Sequence, residues 1–256
     1  MNTLPNPLLT SMPEPERTAR CELAALYRLL AHFRMTDLID THITLRIPGP
    51  EHHFLINRYG VIFERMKASD LVRIDQHGNV VNGDPTTSRV NAAGFVIHSA
   101  IHMARPDLAC VIHTHTAAGM AVAAQEQGLL PISQHALRYY GHLAYHTYEG
   151  IALSLSERER LVADLGPHKA MILRNHGLLA AGISVGHAFQ EIHFLERACQ
   201  AQVQALSGNS KLVYPSEEVC RLTAEQFARD EADEITHLSW LATLSLIEDQ
   251  RESYCS

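Results

Sequence analysis

Three histidines carry the clearest chemical signal in the sequence. His113 and His115 stand two residues apart at the end of the apolar run Ala109-Cys110-Val111-Ile112, and His176 follows a second run, Ala170-Met171-Ile172-Leu173-Arg174-Asn175. Arg105-Pro106-Asp107 upstream and Thr116-Ala117-Ala118-Gly119 downstream bound the first run, so it reads as a buried strand. Residues i and i+2 of a strand project to one face, which lets two imidazoles converge on one cation. Three neutral imidazoles without a fourth protein ligand leave a position open for water or substrate, as catalytic zinc and iron sites require. The competing reading is packed histidines bonded to backbone, because 17 histidines in 256 residues make chance pairs common. Cys110 is not a fourth ligand on this pattern, since its offset from His113 turns it to the opposite face of the strand.

A longer set of motifs surrounds these histidines. In order they are Asn91-Ala-Ala-Gly-Phe-Val-Ile-His98-Ser-Ala-Ile-His102, Ala104-Arg-Pro-Asp107, Val111-Ile-His113-Thr-His115-Thr-Ala-Ala-Gly119, Gly128-Leu-Leu-Pro-Ile-Ser133, Ala144-Tyr-His-Thr-Tyr-Glu-Gly150 and Ile172-Leu-Arg-Asn-His-Gly-Leu178. Their order and spacing resemble the class II aldolase and adducin family from about Glu22 to Gln204. The resemblance implies a three-layer α/β/α sandwich with a largely antiparallel central sheet. It implies one divalent metal per chain on His113, His115 and His176, with zinc first and manganese or iron as alternatives. It further implies a homotetramer with metal sites near the subunit interfaces.

Departures from the family's fuculose-phosphate aldolase branch bear on substrate. In that branch a glutamate nineteen residues before the first metal histidine is the acid/base; the matching position here is Gly94. Its phosphate-holding Ser-Ser pair is replaced by Ala92 and Ala93, and its Gly-Asn-x-Ser loop by Thr41-His42-Ile43-Thr44. Lost hydroxyl and amide donors weaken the hold on a dianion. The resemblance therefore points to an unphosphorylated substrate bordered by His42, Asn57, Gly60 and Gly94.

His98 lies four residues after Gly94, on the same face of an expected helix, and His102 continues the row. His98 is read either as a substitute general base or as a packed residue. A second cluster runs from Gln134 to His146. In the branch this neighbourhood carries a tyrosine that donates a proton across the subunit interface, and the nearest position here is His135. Tyr140 and His146 are further acid/base candidates, and Arg138 with His135 could bind a substrate carboxylate. Tyrosines before a glycine turn also pack their rings and bond through the hydroxyl.

The leading function is a metal-dependent lyase acting on a hydroxy-keto or keto acid through an enolate or enediolate, by aldol cleavage or decarboxylation. A non-haem iron oxygenase acting on an aromatic keto acid is a second enzyme class. A non-catalytic scaffold is the third reading, because the adducin head shares Asn-x-Ala-Gly-Phe and Arg-Asn-His-Gly; the paired metal histidines speak against it.

Composition bounds the rest. A chain of 256 residues with 46% hydrophobic residues can bury a full core. Its net charge of −7 and lack of long basic runs argue against nucleic acid or anionic membrane as partner. No apolar stretch reaches transmembrane length and the first residues lack a signal-peptide pattern, so a cytoplasmic location is expected, with a small molecule and further copies of the chain as partners. Five scattered cysteines without a CxxC favour reduced thiols.

The elements that must position the histidines follow a mixed α/β order. A Pro-rich tail over 1–15 precedes a domain over 16–215 and a helical extension over 216–256. Helices are expected over Glu16–His32, Val90–Ala104, Thr116–Glu126, from Ser156, and from Ser184 to about Leu206. Strands are expected over Thr41–Ile47, His53–Ile56, Leu71–Val81 with a turn at His77-Gly78-Asn79, and Gly141–Tyr148. Thr223–Glu252 reads as one amphipathic helix with Phe227, Ile235, Leu238, Leu241, Leu244 and Leu246 or Ile247 on its apolar stripe.

Overall fold

The computed structural model describes residues 9, 11–81, 83, 86, 88–150, 157–208, 210–230 and 233–256, the side chains of 92, 93, 230 and 233 excepted. Seven strands form one sheet: β1 (His42–Arg46), β2 (Phe54–Asn57), β3 (Leu71–Ile74), β4 (Cys110–Thr114), β5 (Leu143–His146), β6 (Ala170–Leu173) and β7 (Gly177–Gly182). Their order is β3-β2-β1-β4-β7-β6-β5, and every neighbouring pair is antiparallel except β5 with β6. The expected hairpin after β3 is present: Asp75 accepts from the backbone of His77 and Asn79, and Val80 returns to bridge Ile74.

Alternation along β4 sorts its residues between two cores. Cys110 and Ile112 join the cluster under α1 (Glu14–His32) and α6 (Val185–Ser207), with Leu23, Leu26, Ile192 and Leu195. Val111 joins the opposite cluster with Ile97 and Ile101 of α2 (Ala92–Ala104) and Leu161 and Leu165 of α5 (Glu157–Leu165). Each helix contributes apolar residues three or four apart, one stripe per face. The sheet therefore lies between two helical layers, as the expected sandwich requires.

Two short helices follow β4 in the chain. Thr116 caps α3 (Ala117–Ala123) by accepting from the Gly119 amide at 3.2 Å, and α4 (Gln134–Leu137) follows. Ser184 caps α6 in the same way, accepting from the His187 amide at 3.3 Å. The expected Ser156 cap of α5 lies outside the described residues, as do Pro5 and Pro7. Pro13 and Pro15 do not extend a tail. Pro15 falls in the first turn of α1, where its missing amide proton has no helical partner to lose.

The carboxyl-terminal segment differs from the single helix that periodicity suggests. It contains α7 (Glu217–Asp230), α8 (Asp233–Leu244), a 3-10 segment over Ser245–Gln250 and α9 (Arg251–Tyr254). Ile247 leaves helical geometry at φ −129°, so the stripe cannot continue past it. Trp240 and Ile247 are buried, Trp240 against Phe189 of α6, while Ile235, Leu238, Leu241 and Leu246 face outward. Which side of α8 is buried is set by contact with α6, and the helix's own period carries no record of that.

The cysteine expectation is also corrected. Cys21 of α1 and Cys255 after α9 form a disulfide, with Cα atoms 4.7 Å apart, whereas Cys110, Cys199 and Cys220 are free and buried. A sequence separation of 234 hides such a pair from any reading of local spacing.

Candidate metal centre

His113 is the fourth residue of β4 and His115 follows the strand's end on the same side. His176 sits in the tight β6–β7 turn, where Asn175 adopts φ +54°, a conformation asparagine tolerates better than most residues. Gly177 lets the two strand ends close together: a Cβ there would collide with the Thr114 carbonyl oxygen and stand 3.1 Å from His115 Cδ2. The result is a convergence of three Nε2 atoms, 2.8 Å apart for His113 and His115, 3.2 Å for His113 and His176, and 2.9 Å for His115 and His176.

The other ring nitrogens decide what this triangle can do. His113 Nδ1 is 2.9 Å from the Leu178 carbonyl oxygen, and His115 Nδ1 is 3.1 Å from Asp37 Oδ2. Both acceptors call for a proton on Nδ1, which leaves a lone pair on each Nε2. Lone pairs pointed at one another repel unless a cation lies between them. Nitrogens held tetrahedrally at ~2.0–2.1 Å from zinc stand about 3.3 Å from each other, close to the spacing here. The donor set fits one divalent cation, and the Asp37–His115 contact is of the carboxylate–histidine kind that orients metal ligands. Burial, followed by the neighbouring His42, His176 and His115, holds the His113 pKa well below the ordinary histidine value. Burial and His115 bring His176 to about 4, so both rings stay in the neutral form that ligates metal.

A second group of histidines lies beside the first on the same face of the sheet. His42 of β1 is the direct cross-strand partner of His113, with ring centroids 5.3 Å apart. His98 of α2 packs on His42 at 4.4 Å. Thr44 Oγ1 lies 2.8 Å from His98 Nδ1 and 2.7 Å from His102 Nε2. His102 stacks on Phe54 at 4.6 Å. Burial depresses all three, with His42 and His102 each at about 3. Gly94 borders this group: a Cβ on it would lie 2.7 Å from His42 Cγ and Cδ2. The space next to residue 94 is filled by an imidazole. A glutamate at 94 could be seated only by moving His42.

Of the remaining sequence candidates, His146 adjoins His176 of the triad. Asn57 is buried, and its Oδ1 accepts from the Tyr27 hydroxyl at 2.9 Å. Gly60 occupies a turn at φ +97° that suits glycine for conformational reasons. Arg138 pairs with Glu191 at 2.7 Å, both side chains buried, and packs over Phe194 and Phe227. Within the chain its charge is met by Glu191. His135 is exposed on α4 beside Phe194 at 5.1 Å, and Tyr140 is half-buried before the Gly141 turn. His146 is buried, 2.7 Å from Asp164 and 3.5 Å from Glu157, and near enough to depress His176. The side chains of Ala92 and Ala93 lie outside those described.

Sequence reasoning missed two residues at the site. Asp37 precedes β1 in an irregular loop, where no periodicity points to a ligand's partner. Tyr148, half-exposed with its ring 6.1 Å from His176, stands in the Ala144–Gly150 motif already noted, and that motif was a usable signal.

The chain and its fold match known proteins. The family model described as the Class II Aldolase and Adducin N-terminal domain matches residues 21–203, and the chain belongs to that family. An aldolase II superfamily protein of Pseudomonas syringae has the same fold, at 50% identity and TM-score 0.88 over 96% of this chain and 98% of that one. An L-fuculose 1-phosphate aldolase of Glaciozyma antarctica superposes with TM-score 0.81 at 28% identity, over 96% of this chain and 98% of that one. Rat alpha-adducin is 47% identical over 193 residues, which are 75% of this chain and only 26% of the adducin. Among the described residues no helix is long and apolar enough to cross a membrane.

Proposed function

We propose that the protein is a metal-dependent carbon–carbon lyase acting on an unphosphorylated hydroxy-keto or keto acid, by aldol cleavage or decarboxylation. The convergence of the three histidine Nε2 atoms, with Nδ1 of His113 and His115 engaged by acceptors, carries this reading. His113, His115 and His176 would hold one divalent cation, zinc first and manganese or iron as alternatives. Bound there, it would act as a Lewis acid that polarises a carbonyl and stabilises an enolate or enediolate.

The chain's own residues narrow the substrate. Gly94 offers no carboxylate to take a proton from a hydroxyl, and decarboxylation does not need that step. Thr44, in the segment matching the phosphate loop, turns its hydroxyl inward between His98 and His102, which supports an unphosphorylated substrate. The deciding assay loads purified protein with zinc, manganese or iron and compares fuculose 1-phosphate with unphosphorylated keto and hydroxy-keto acids. Faster turnover of the sugar phosphate than of every acid would refute the substrate class. Oxygen uptake by the iron form with an aromatic keto acid would move the reading to an oxygenase.

The likeness to alpha-adducin supports one other reading, a non-catalytic scaffold. Metal analysis separates the two, because a scaffold has no need of a cation. We also infer self-association, as a homotetramer, with the outward Ile235, Leu238 and Leu241 of α8 on a subunit contact. Light scattering on the purified protein reads the mass directly.

A further inference from the structure

Cys21 and Cys255 form part of a cavity wall as well as a disulfide. With Arg17, Glu22, Trp240 and Arg251 they line a space of about 650 Å³ between α1, the start of α6, α8 and α9. That volume is in the range of small-molecule sites, and Val185, Trp240 and Leu244 give it an apolar floor. Both cysteines are half-buried, so the disulfide borders space that a small reagent can enter. The other three cysteines are buried, and burial pushes the Cys110 and Cys199 thiols up from the ordinary cysteine value. Thiol chemistry on the folded chain is thereby directed to one place.

The charges around the disulfide favour an anionic partner. Arg17 stands four residues before Cys21 on α1, and Arg251 stands four before Cys255, whose amide donates to the Arg251 carbonyl. Residues four apart share a helical face, so each cysteine has a guanidinium on its own side of the helix. A neighbouring cation lowers a thiol's pKa and makes its sulfur a better leaving group. Glu22 is the one carboxylate among the described lining residues, and Glu248 approaches Arg251 only to 3.9 Å, with both side chains more than half exposed.

The segment that carries Cys255 also has a seat independent of the disulfide. Arg28 donates to Gln250 Oε1 at 3.2 Å and to Ser253 Oγ at 3.1 Å, and the Ser69 hydroxyl donates to the Ser256 carbonyl at 2.9 Å. Opening the disulfide therefore leaves the two sulfurs near enough to close again.

We propose that the cavity at Cys21 and Cys255 is a thiol-exchange site for a small, carboxylate-bearing thiol of the glutathione class. The thiolate of the entering molecule attacks one cysteine sulfur; the bond between the cysteines breaks, and its electron pair leaves on the other sulfur as a thiolate beside its arginine. A second thiolate attacks the mixed disulfide at the small molecule's sulfur. Two small thiols are thus oxidised to one disulfide while the cysteine pair is reduced, and the cysteines take up the two protons that the small thiols released. The site is independent of the metal-site reading. Leu241 is the one residue of its lining shared with the subunit contact proposed for α8.

The test uses full-length protein oxidised to completion and then equilibrated under native conditions with glutathione, with intact mass and thiol counts read after an acid quench. The starting protein should show three free thiols on unfolding, those of Cys110, Cys199 and Cys220, and all five after excess reduced glutathione. At intermediate ratios of reduced to oxidised glutathione, a mixed disulfide should map to Cys21 or Cys255. At equal thiolate concentration glutathione should react about 10-fold faster than the neutral thiol mercaptoethanol, the lower end of what focusing of charge in a cleft provides. A double variant, Arg17→Gln with Arg251→Gln, should keep its disulfide and lose that preference. Should the double variant not fold, Arg17→Gln alone decides, and the preference should fall. Oxidised protein that still shows five thiols would overturn the proposal, because no disulfide forms. A disulfide that opens only in urea would overturn it by making the link purely structural. Equal rates with the two thiols, or a preference unmoved by the arginine substitutions, would remove the anionic ligand and the proposed site with it.

Discussion

Two groups of three histidines share one face of the same sheet, and they are built on opposite principles. In the first, His113, His115 and His176 sit at strand ends and in a turn, and their Nε2 atoms meet at a point while acceptors such as Leu178 and Asp37 engage the far nitrogens. In the second, His42, His98 and His102 lie between β1 and α2: His42 packs at a tilt on His98, His102 stacks on Phe54, and His98 and His102 share Thr44 as a hydrogen-bond partner. Convergent nitrogens suit a cation; stacked rings suit a packed layer. His113 and His176 share a lowered pKa with the second group, so low pKa does not distinguish ligands from packing. The distinction lies in where the lone pairs point.

The sharpest way to break this comparison is to remove one ring from each group and measure metal. Replacing His113, His115 or His176 by alanine should weaken metal binding by roughly 10³-fold or more, since three ligands share the whole binding free energy. Inductively coupled plasma analysis after gel filtration reads the occupancy. An alanine variant of any of the three that retains full metal would remove that residue from the ligand set.

Acid should act on both groups in the metal-free protein. His42 and His102 at about 3, His176 at about 4, and His98 and His113 well below the usual value all stay neutral when folded at pH values where the unfolded chain is protonated. Each folded-state pKa lies below the unfolded value of about 6.5, so the unfolded state binds more protons and stability falls as pH drops from about 6.5 towards 3. The slope is about 1.4 kcal/mol per pH unit for each such histidine. Urea midpoints measured across that window should move down steeply. A flat profile would mean that these rings take up protons without unfolding.

Next in size is the partner of a ligand. Asp37→Asn should reduce metal affinity by about 10–100-fold, because the amide can still approach His115 but no longer holds its Nδ1 proton by charge. Competition with a chelating dye gives the affinity. An affinity equal to wild type would show that the carboxylate, with its side chain 44% exposed, merely lies near the ring.

These effects also mark what could be read from sequence. The pair His113 and His115 was legible because period-2 alternation is local and His115 continues it past the strand end. His176 was legible from its motif and from the strand before it. Asp37 was not, since it reaches His115 from a loop 78 residues away in sequence and belongs to no repeat. His42 was marked as a departure from the family's loop and as bordering the substrate; that its ring fills the space beside Gly94 depends on β1 pairing with β4, a long-range register. Arg138 shows what a reading from local neighbourhood leaves out. Its charge and its neighbourhood suggested a carboxylate ligand, and the carboxylate it meets is Glu191 of its own chain. The layered fold was recovered almost strand by strand, whereas the α7–α9 region was not, because contact with α6 rather than helical period chooses its buried side.

The smallest expected effect belongs to His102, the member of the second group most remote from the triad in the chain of contacts. Its Nε2 meets Thr44 at 2.7 Å, its Nδ1 meets the Leu108 carbonyl at 3.3 Å, and its ring stacks on Phe54. His102→Phe keeps a flat ring for the stack and deletes both hydrogen bonds. Thr44 retains His98, so the main loss is the interaction with Leu108 and the ring's polar fit, about 1–2 kcal/mol in all. For a chain of this size that corresponds to a fall in Tm of about 2–4 °C. Metal content and affinity should be unchanged. The variant should also take up one proton fewer on acid unfolding, which flattens the pH profile by about 1.4 kcal/mol per unit below pH 6.5. A metal-depleted His102→Phe protein would mean that the stacked histidines position the convergent ones, and the two groups would then be one functional unit.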